Sequence, residues 1–177
     1  MLSIATIIIG NSIPDKVLSI IDTNKKNFPL FEVLRFDYDD HYSCPGIQAE
    51  FMKLFVLSKR SDIVVCDWDV EFTRNDCCLS GTMFGFRGNI PDMFLTYNND
   101  LIAMSVFDNF ANEARNRFMA SPGFTSILAG RMYRAGLCTW YPNDAYIHHG
   151  TNMGMSNVKL QTSGNGNGYK KLHTANR

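Results

Sequence analysis

An α/β domain with a mainly parallel central sheet flanked by helices is the fold class that the sequence predicts. Two observations lead to it. Short runs of β-branched and apolar residues alternate with segments of helical period, and polar turns separate the two kinds of segment. The length of 177 residues is enough for one compact core and not for two, so we expect a single domain.

The first strand is predicted over residues 2–9, a β-branched run that ends at Gly10-Asn11. Such a run is typical of a central strand in a parallel sheet, which is buried on both faces. A helix begins at Pro14-Asp15 and ends before Pro29. Its predicted apolar positions are Val17, Leu18, Ile20 and Ile21.

A second strand over residues 31–36 leads into an acidic loop at residues 37–40. Pro45-Gly46 then begins the clearest helix of the chain. Its predicted packing face consists of Ile47, Phe51, Leu54, Phe55 and Ser58. A short buried strand follows at residues 62–66, and Asp67-Trp68-Asp69 comes directly after it. The order strand, helix, strand, helix, strand indicates parallel neighbours in one sheet.

The second half of the chain is less regular. We predict a strand at residues 81–86, a helix within residues 99–113, and a further helix that ends at Gly136. The face of that last helix is predicted to carry Phe124, Ile127, Leu128 and Met132. The domain is expected to span residues 1–160. Residues 161–177 are rich in Gly and Asn with a mildly basic end, which predicts a flexible tail or a lid.

Charge and composition exclude several classes of protein. Lys+Arg and Asp+Glu both number 17, so no overall field favours nucleic acid or anionic lipid, although a local basic patch stays open. The longest apolar run, residues 4–9, is too short to cross a bilayer, and no signal peptide is expected. The five cysteines contain no C-x-x-C pair, which favours reduced thiols and a cytoplasmic location.

The aspartates of Asp67-Trp68-Asp69 are the residues most suited to chemistry. Open α/β sheets bind ligands beyond the carboxyl ends of their strands, where this motif lies. Two carboxylates two residues apart can point the same way and share one hard cation, Mn²⁺ or Mg²⁺. That cation would bridge the phosphates of a nucleoside diphosphate and stabilise it as a leaving group. The alternative is that Asp-x-Asp only caps a turn.

Several motifs together resemble the D-x-D sugar-binding region of GT-A glycosyltransferases, the group with capsular polysaccharide and α-mannosyl- or α-galactosyltransferases. Ala49-Glu50-x-x-Lys53 is similar to a helix signature of this group. The strand that ends in Asp67-Trp68-Asp69-Val70 resembles its D-x-D strand. The segment from Asn116 to Ser121 resembles its Asn-x-x-x-x-Ser segment, and His148-His149-Gly150 its late histidine motif. The resemblance spans roughly residues 4–156.

The resemblance implies a role for each of these positions. Asp67 and Asp69 are the expected catalytic and metal-binding residues, with His148 or His149 completing the metal site. Strand alternation lets only one of the two histidines face the metal, and His148 is our choice. The expected donor-binding residues are Ile9, Gly10, Asn11, Lys53, Asn116 and Ser121. Lys53 would reach the donor's phosphates or sugar; its alternative is a solvated lysine on a helix face.

The resemblance implies a GT-A-like, Rossmann-like fold. It also implies the activity of a hexosyl- or pentosyltransferase that depends on Mn²⁺ or Mg²⁺. It would move a sugar from a UDP- or GDP-sugar to a hydroxyl, most simply of a glycan, with nucleic acid or lipid as other acceptors. The group mostly retains anomeric configuration, whereas inversion would need a base such as Asp144. Acceptor recognition is expected from loops at residues 73–99 and from the C-terminal segment. A metal-dependent phosphoesterase or nucleotidyltransferase, or a non-catalytic nucleotide-sugar-binding module, are the alternatives.

Overall fold

The computed structural model describes residues 3–74, 81–87, 90–98, 101–117 and 124–150. Within these residues, twelve elements follow one another, eight strands and four helices. In order they are β1 (Ser3–Ile9), α1 (Asp15–Asn27), β2 (Phe31–Phe36), α2 (Pro45–Lys59), β3 (Ile63–Cys66), β4 (Val70–Phe72), β5 (Met83–Arg87), β6 (Ile90–Asn98), α3 (Leu101–Arg117), α4 (Phe124–Arg134), β7 (Thr139–Trp140) and β8 (Tyr146–His148).

Six strands form the central sheet in the order β2-β1-β3-β6-β5-β7. β1 pairs in parallel with both β2 and β3, and β5 pairs in parallel with β7. Only β6 runs in the opposite direction, because it pairs antiparallel with β3 on one side and with β5 on the other. The predicted fold class, an α/β domain with a mainly parallel sheet, is confirmed. The carboxyl ends of β1, β2, β3, β5 and β7 therefore lie at one edge of the sheet.

The sheet separates two layers of core. Alternate residues of β1 face opposite sides, so that Ala5 and Ile7 pack with α2, α3 and α4, while Ile4 and Ile8 pack with α1. Every residue of β3 is buried. This double burial is the physical reason why both strands are continuous apolar runs in the sequence. A second, two-stranded sheet of β4 and β8 lies on the α1 side of the core.

Among the described side chains, each predicted helix face was wrong at one apolar position. Leu18, Phe55 and Ile127 are 41%, 52% and 41% exposed, although each was assigned to a packing face. The helical period gives the direction of an apolar stripe only approximately, so positions at its margin are ambiguous. In α2 the aromatic side chain of Phe55 is exposed, whereas the side chain of Lys53, two residues earlier, is only 1% exposed.

β6 was missed by the sequence analysis, which expected acceptor-binding loops at residues 73–99. Pro91 and Asp92 near its beginning are residues that strands disfavour, and they hide the apolar run that follows. The strand is instead set by its two neighbours, since β6 fills the gap between β3 and β5. β5 at residues 83–87 agrees with the strand predicted at residues 81–86, whereas the expectation of loops is corrected over residues 90–98, which form β6.

Among the described residues, no helix combines the length and apolar character that a bilayer crossing requires. The tail predicted at residues 161–177 lies outside the described residues, as does Ser121.

Two buried thiols should be chemically inert in the folded protein. Burial raises the pKa of Cys138 from 9.0 to about 11, and burial also raises the pKa of Cys66 strongly. Because only the thiolate reacts, we expect neither residue to be labelled by a disulfide reagent at pH 8, and both to be labelled in denaturant. Peptide mass spectrometry would check this; rapid labelling of native Cys66 would contradict the structure. The neutral Cys138 stabilises the fold below pH 9.0, and this stabilisation is lost as the pH rises to about 11.

Candidate metal and nucleotide-sugar site

The motif Asp67-Trp68-Asp69 forms a tight turn at the carboxyl end of β3. The amide of Val70 donates to the carbonyl oxygen of Asp67 at 3.3 Å, which closes the turn and starts β4. Trp68 is partly buried and packs against the core on the α1 side. The turn thus presents both aspartates while its aromatic residue anchors it to the core.

The small sheet brings the late histidine motif to this turn. β8 pairs antiparallel with β4, and Val70 is the register partner of His148. The pairing continues one step further, because the amide of His149 donates to the carbonyl oxygen of Asp69 at 3.0 Å. Residues that are far apart in the sequence therefore meet through backbone hydrogen bonds, so their positions do not depend on long side chains.

Three potential ligand side chains converge here. The Nε2 atom of His148 lies 3.0 Å from Oδ1 of Asp69 and 3.6 Å from Oδ2 of Asp67. One ligand atom from each of the three residues lies within 4.8 Å of the others. The side chains of His148 and Asp69 are 5% and 3% exposed, and that of Asp67 is 16% exposed. Asp67 is thus the most exposed of the three potential ligands.

The chemistry of this group fits a divalent cation. Oδ2 of Asp69 is buried and has no hydrogen-bond partner in the described part of the chain. A buried carboxylate oxygen without a partner is costly, and a coordinated cation would remove that cost. Two carboxylates and one imidazole are ligands that Mn²⁺ accepts, whereas Mg²⁺ prefers oxygen alone. The arrangement thus suits a cation held by Asp67, Asp69 and His148.

Lys53 contributes a positive charge to the same cluster. Its ammonium contacts Oδ1 of Asp67 and lies 2.7 Å from Oε1 of Glu50, one turn earlier on α2. Its side chain is 1% exposed, so the alternative of a solvated helix-face lysine was wrong. The sequence analysis found Glu50 and Lys53 as a motif, but it did not predict that the lysine would pair with the first aspartate.

The side chain of His149 contacts Glu71 and not the two aspartates. Its Nε2 atom is 2.8 Å from Oε2 of Glu71, and both side chains are partly exposed. The structure therefore brings His148, and not the ring of His149, to the two aspartates. Strand alternation is the reason, since neighbouring residues in a strand point to opposite faces.

The end of β1 lies at the same edge of the sheet as the aspartates. Thr6 is the register partner of Cys66, so Ile9, Gly10 and Asn11 continue beyond the level where β3 ends. Gly10 has φ +82°, a left-handed conformation that favours glycine, and its amide donates to the carbonyl oxygen of Phe36 at 2.8 Å. Asn116 lies in the last turn of α3. The roles of these residues in donor binding stay predictions.

A second group of possible ligands, Asp39, Asp40 and His41, lies in the loop after β2. All three residues are exposed. A hydrogen bond that His41 donates to the carboxylate of Asp39 raises the pKa of His41. The exposure of the group agrees with the acidic loop predicted at residues 37–40.

Comparison with known proteins gives a fold and no sequence family. No protein-family model matches the chain, and no curated protein matches its sequence. A solved structure described as a glycosyltransferase involved in the glycosylation of the major capsid of PBCV-1 matches with a TM-score of 0.57 and 8% identity. The match covers 86% of this chain and 97% of that one. The chain therefore has a GT-A-like fold, in agreement with the resemblance found in the sequence.

A looser structural match has a TM-score of 0.41 and 12% identity, and covers 81% of this chain and 72% of the other. That structure is described as the CTP:phosphocholine cytidylyltransferase LicC from Streptococcus pneumoniae. The likeness is too low to support an argument about this chain.

Proposed function

We propose that the chain is a metal-dependent glycosyltransferase that moves a sugar from a nucleoside diphosphate sugar to a hydroxyl. The observation that carries the proposal is the convergence of Asp67, Asp69 and His148 at the carboxyl end of β3. The similar fold of a protein described as a glycosyltransferase supports it. Mn²⁺ or Mg²⁺ is the proposed cation, and a UDP- or GDP-sugar is the proposed donor.

The proposed roles follow from the positions of the residues. Asp67, Asp69 and His148 would hold the cation, which supplies charge neutralisation for the departing nucleoside diphosphate. Lys53 keeps Asp67 in place and adds positive charge at the side of the leaving group. The amide of Gly10 is already bonded to Phe36, so the proposed role of Gly10 is to let the backbone of residues 9–11 approach the nucleotide closely at this edge of the sheet.

Retention of anomeric configuration is the proposed outcome. Asp144, the candidate base for an inverting reaction, is 70% exposed and lies 2.6 Å from Nη1 of Arg74. A carboxylate so engaged at the surface is poorly placed to deprotonate an acceptor. A retaining enzyme needs no such base, because the leaving phosphate can accept the proton. Product analysis by NMR should show an unchanged anomeric configuration, and an inverted product would overturn this assignment.

The donor class is tested by a thermal-shift screen of UDP-, GDP-, ADP- and CMP-sugars with and without Mn²⁺. A donor at 100 times its dissociation constant adds about 2.7 kcal/mol of stability, which such a screen detects readily. We expect a shift for one nucleotide class, and only when the cation is present. A folded protein that responds to no donor would contradict the proposal.

A preference for Mn²⁺ over Mg²⁺ follows from the imidazole of His148 among the proposed ligands. We expect Mn²⁺ to bind more tightly than Mg²⁺ to the wild type, because Mg²⁺ retains water in preference to a nitrogen ligand. His148→Asn should reduce this preference by removing the nitrogen, while His41→Asn should leave it unchanged, since His41 lies in the exposed loop. Calorimetric titration with both metals is the measurement. Equal selectivity in the wild type and His148→Asn would exclude His148 as a ligand.

The same samples separate the remaining activities. Slow hydrolysis of the donor without an acceptor is expected from a transferase and would argue against a non-catalytic binding module. Release of inorganic phosphate would favour a phosphoesterase instead. Acceptors are then screened by class, with glycans first and nucleic acids or lipids after them.

A further inference from the structure

A buried amide on α1 contacts the strand that carries the second aspartate. Asn24 is 1% exposed, although asparagine is seldom so fully buried in proteins. Its Nδ2 donates to the carbonyl oxygen of Val70 at 2.8 Å, and its Oδ1 accepts from the amide of Phe72 at 3.0 Å. Both hydrogen bonds are buried, so the two partners hold each other in one geometry.

These two bonds, together with a longer one from Nδ2 of Asn27 to the carbonyl oxygen of Phe72 at 3.4 Å, satisfy main-chain groups of β4 that do not bond to β8. In an antiparallel pair, the main-chain groups of alternate residues point toward the partner strand and away from it. Asp69 and Thr73 bond to β8, through the amide of His149 and the carbonyl of Ala145. The main-chain groups of Val70 and Phe72 therefore point away from β8, and in the described structure no third strand lies on that side.

The side chain of Asn24 makes the hydrogen bonds that a third strand would make on this side of β4. In a parallel ladder, one residue accepts from and donates to two residues that flank its partner. The amide of Asn24 does the same with Phe72 and Val70, which flank Glu71. A strand of three residues is thereby fixed on one edge by β8 and on the other by α1. Asp69 directly precedes this strand, and its main chain is part of the same ladder.

We infer that Asn24 is a positioning residue for the metal site, which it serves by holding β4 and hence the carboxylate of Asp69 in register with His148. The inference rests on the proposed function, because the cation is part of that proposal. Asn24 itself touches neither ligand side chain. Its effect passes through the backbone from Val70 to Asp69, a single peptide unit away.

The test is Asn24→Leu, which keeps the approximate shape of the side chain and removes both hydrogen bonds. Asn24→Ala is the milder companion, because the space it opens admits water to the two backbone groups. Mn²⁺ binding is measured by calorimetry, and the His148 imidazole is followed by NMR in metal-free protein. We expect Mn²⁺ to bind about 10- to 100-fold more weakly, the usual effect of losing support behind a ligand, and the His148 signals to move.

The matched control is Val17→Ala, two turns earlier on the same helix. Val17 is 0% exposed and packs in the same core layer, but its side chain makes no hydrogen bond. It should lower the melting temperature without changing Mn²⁺ affinity or the His148 signals. Asn24 variants that lose stability like Val17→Ala and keep wild-type Mn²⁺ affinity would overturn the inference.

The readouts also separate this inference from the proposed function. A wild-type protein that binds no Mn²⁺ would contradict the proposed metal site. The His148 signals in metal-free protein then decide alone: movement in the Asn24 variants supports the positioning role, and unchanged signals reject it.

Discussion

Asp69→Asn is expected to remove metal-dependent donor binding and to lower the rate of transfer by roughly 100-fold or more. The substitution replaces a charged ligand by a neutral amide of the same shape, so the loss is one of charge and coordination. A cation that neutralises a leaving group contributes several kcal/mol, and about 3 kcal/mol corresponds to a rate factor on the order of 100. The measurements are the Mn²⁺-dependent thermal shift with the best donor and the initial rate of transfer.

The matched control for this variant lies at the other end of the same strand. Asp62 directly precedes β3, is exposed, and has φ +58°. Asparagine tolerates that conformation well, so Asp62→Asn makes the same chemical change without strain. We expect it to bind donor and transfer sugar like the wild type. If both variants were equally active, Asp69 could not be a metal ligand of the working enzyme.

Lys53→Met is expected to destabilise the metal-free protein by about 3 kcal/mol or more. The substitution keeps the length of the side chain but removes the charge that faces Asp67 and Glu50. Both carboxylates are less than one-fifth exposed, so they would be left close together without that positive partner. Breaking one side of a buried ion pair costs far more than losing a surface pair, because water cannot replace the missing charge. Chemical denaturation in the presence of a chelator measures the effect.

The same substitution on the same helix provides the control. Lys59 is 56% exposed and lies 3.7 Å from Asp108. A pair at this exposure contributes at most about 1 kcal/mol, so Lys59→Met should change stability little. Mn²⁺ should restore part of the stability of Lys53→Met, since the cation replaces positive charge at Asp67. Equal stability of the two methionine variants would show that the Lys53 cluster does not contribute to the fold as the structure indicates.

The fold class and the position of the D-x-D turn were predictable from the sequence. β1 and β3 are buried on both faces. Nearly every residue of such a strand must be apolar, so both strands are recognisable in the sequence as continuous apolar runs. The aspartates follow β3 without a gap, so the rule that ligands bind beyond the carboxyl ends of parallel strands located them. Alternation along a strand likewise separated His148 from His149, and the structure brings His148 to the aspartates.

β6 and the margins of the helix faces could not be predicted in this way. The sequence of β6 begins with residues that strands disfavour, and its place in the sheet depends on the gap between β3 and β5. Phe55 is exposed and Lys53 is buried on the same helix, the reverse of their hydrophobicity. Lys53 can be buried because its ammonium pairs with the carboxylates of Glu50 and Asp67, which surround it only in the folded chain.

What the sequence by itself determined is local or periodic: the strands β1, β2, β3 and β5, the helices, the turn after β3 and the types of ligand that it carries. These features depend on neighbours within a few residues along the chain, so they can be recognised from the sequence alone. The tertiary structure alone decided the pairing of Lys53 with Asp67, the pairing of His149 with Glu71, and the support of β4 by Asn24. Each of these joins groups from different elements, and burial sets the strength of the interaction, since a charge or an amide removed from water must find its partner inside the protein.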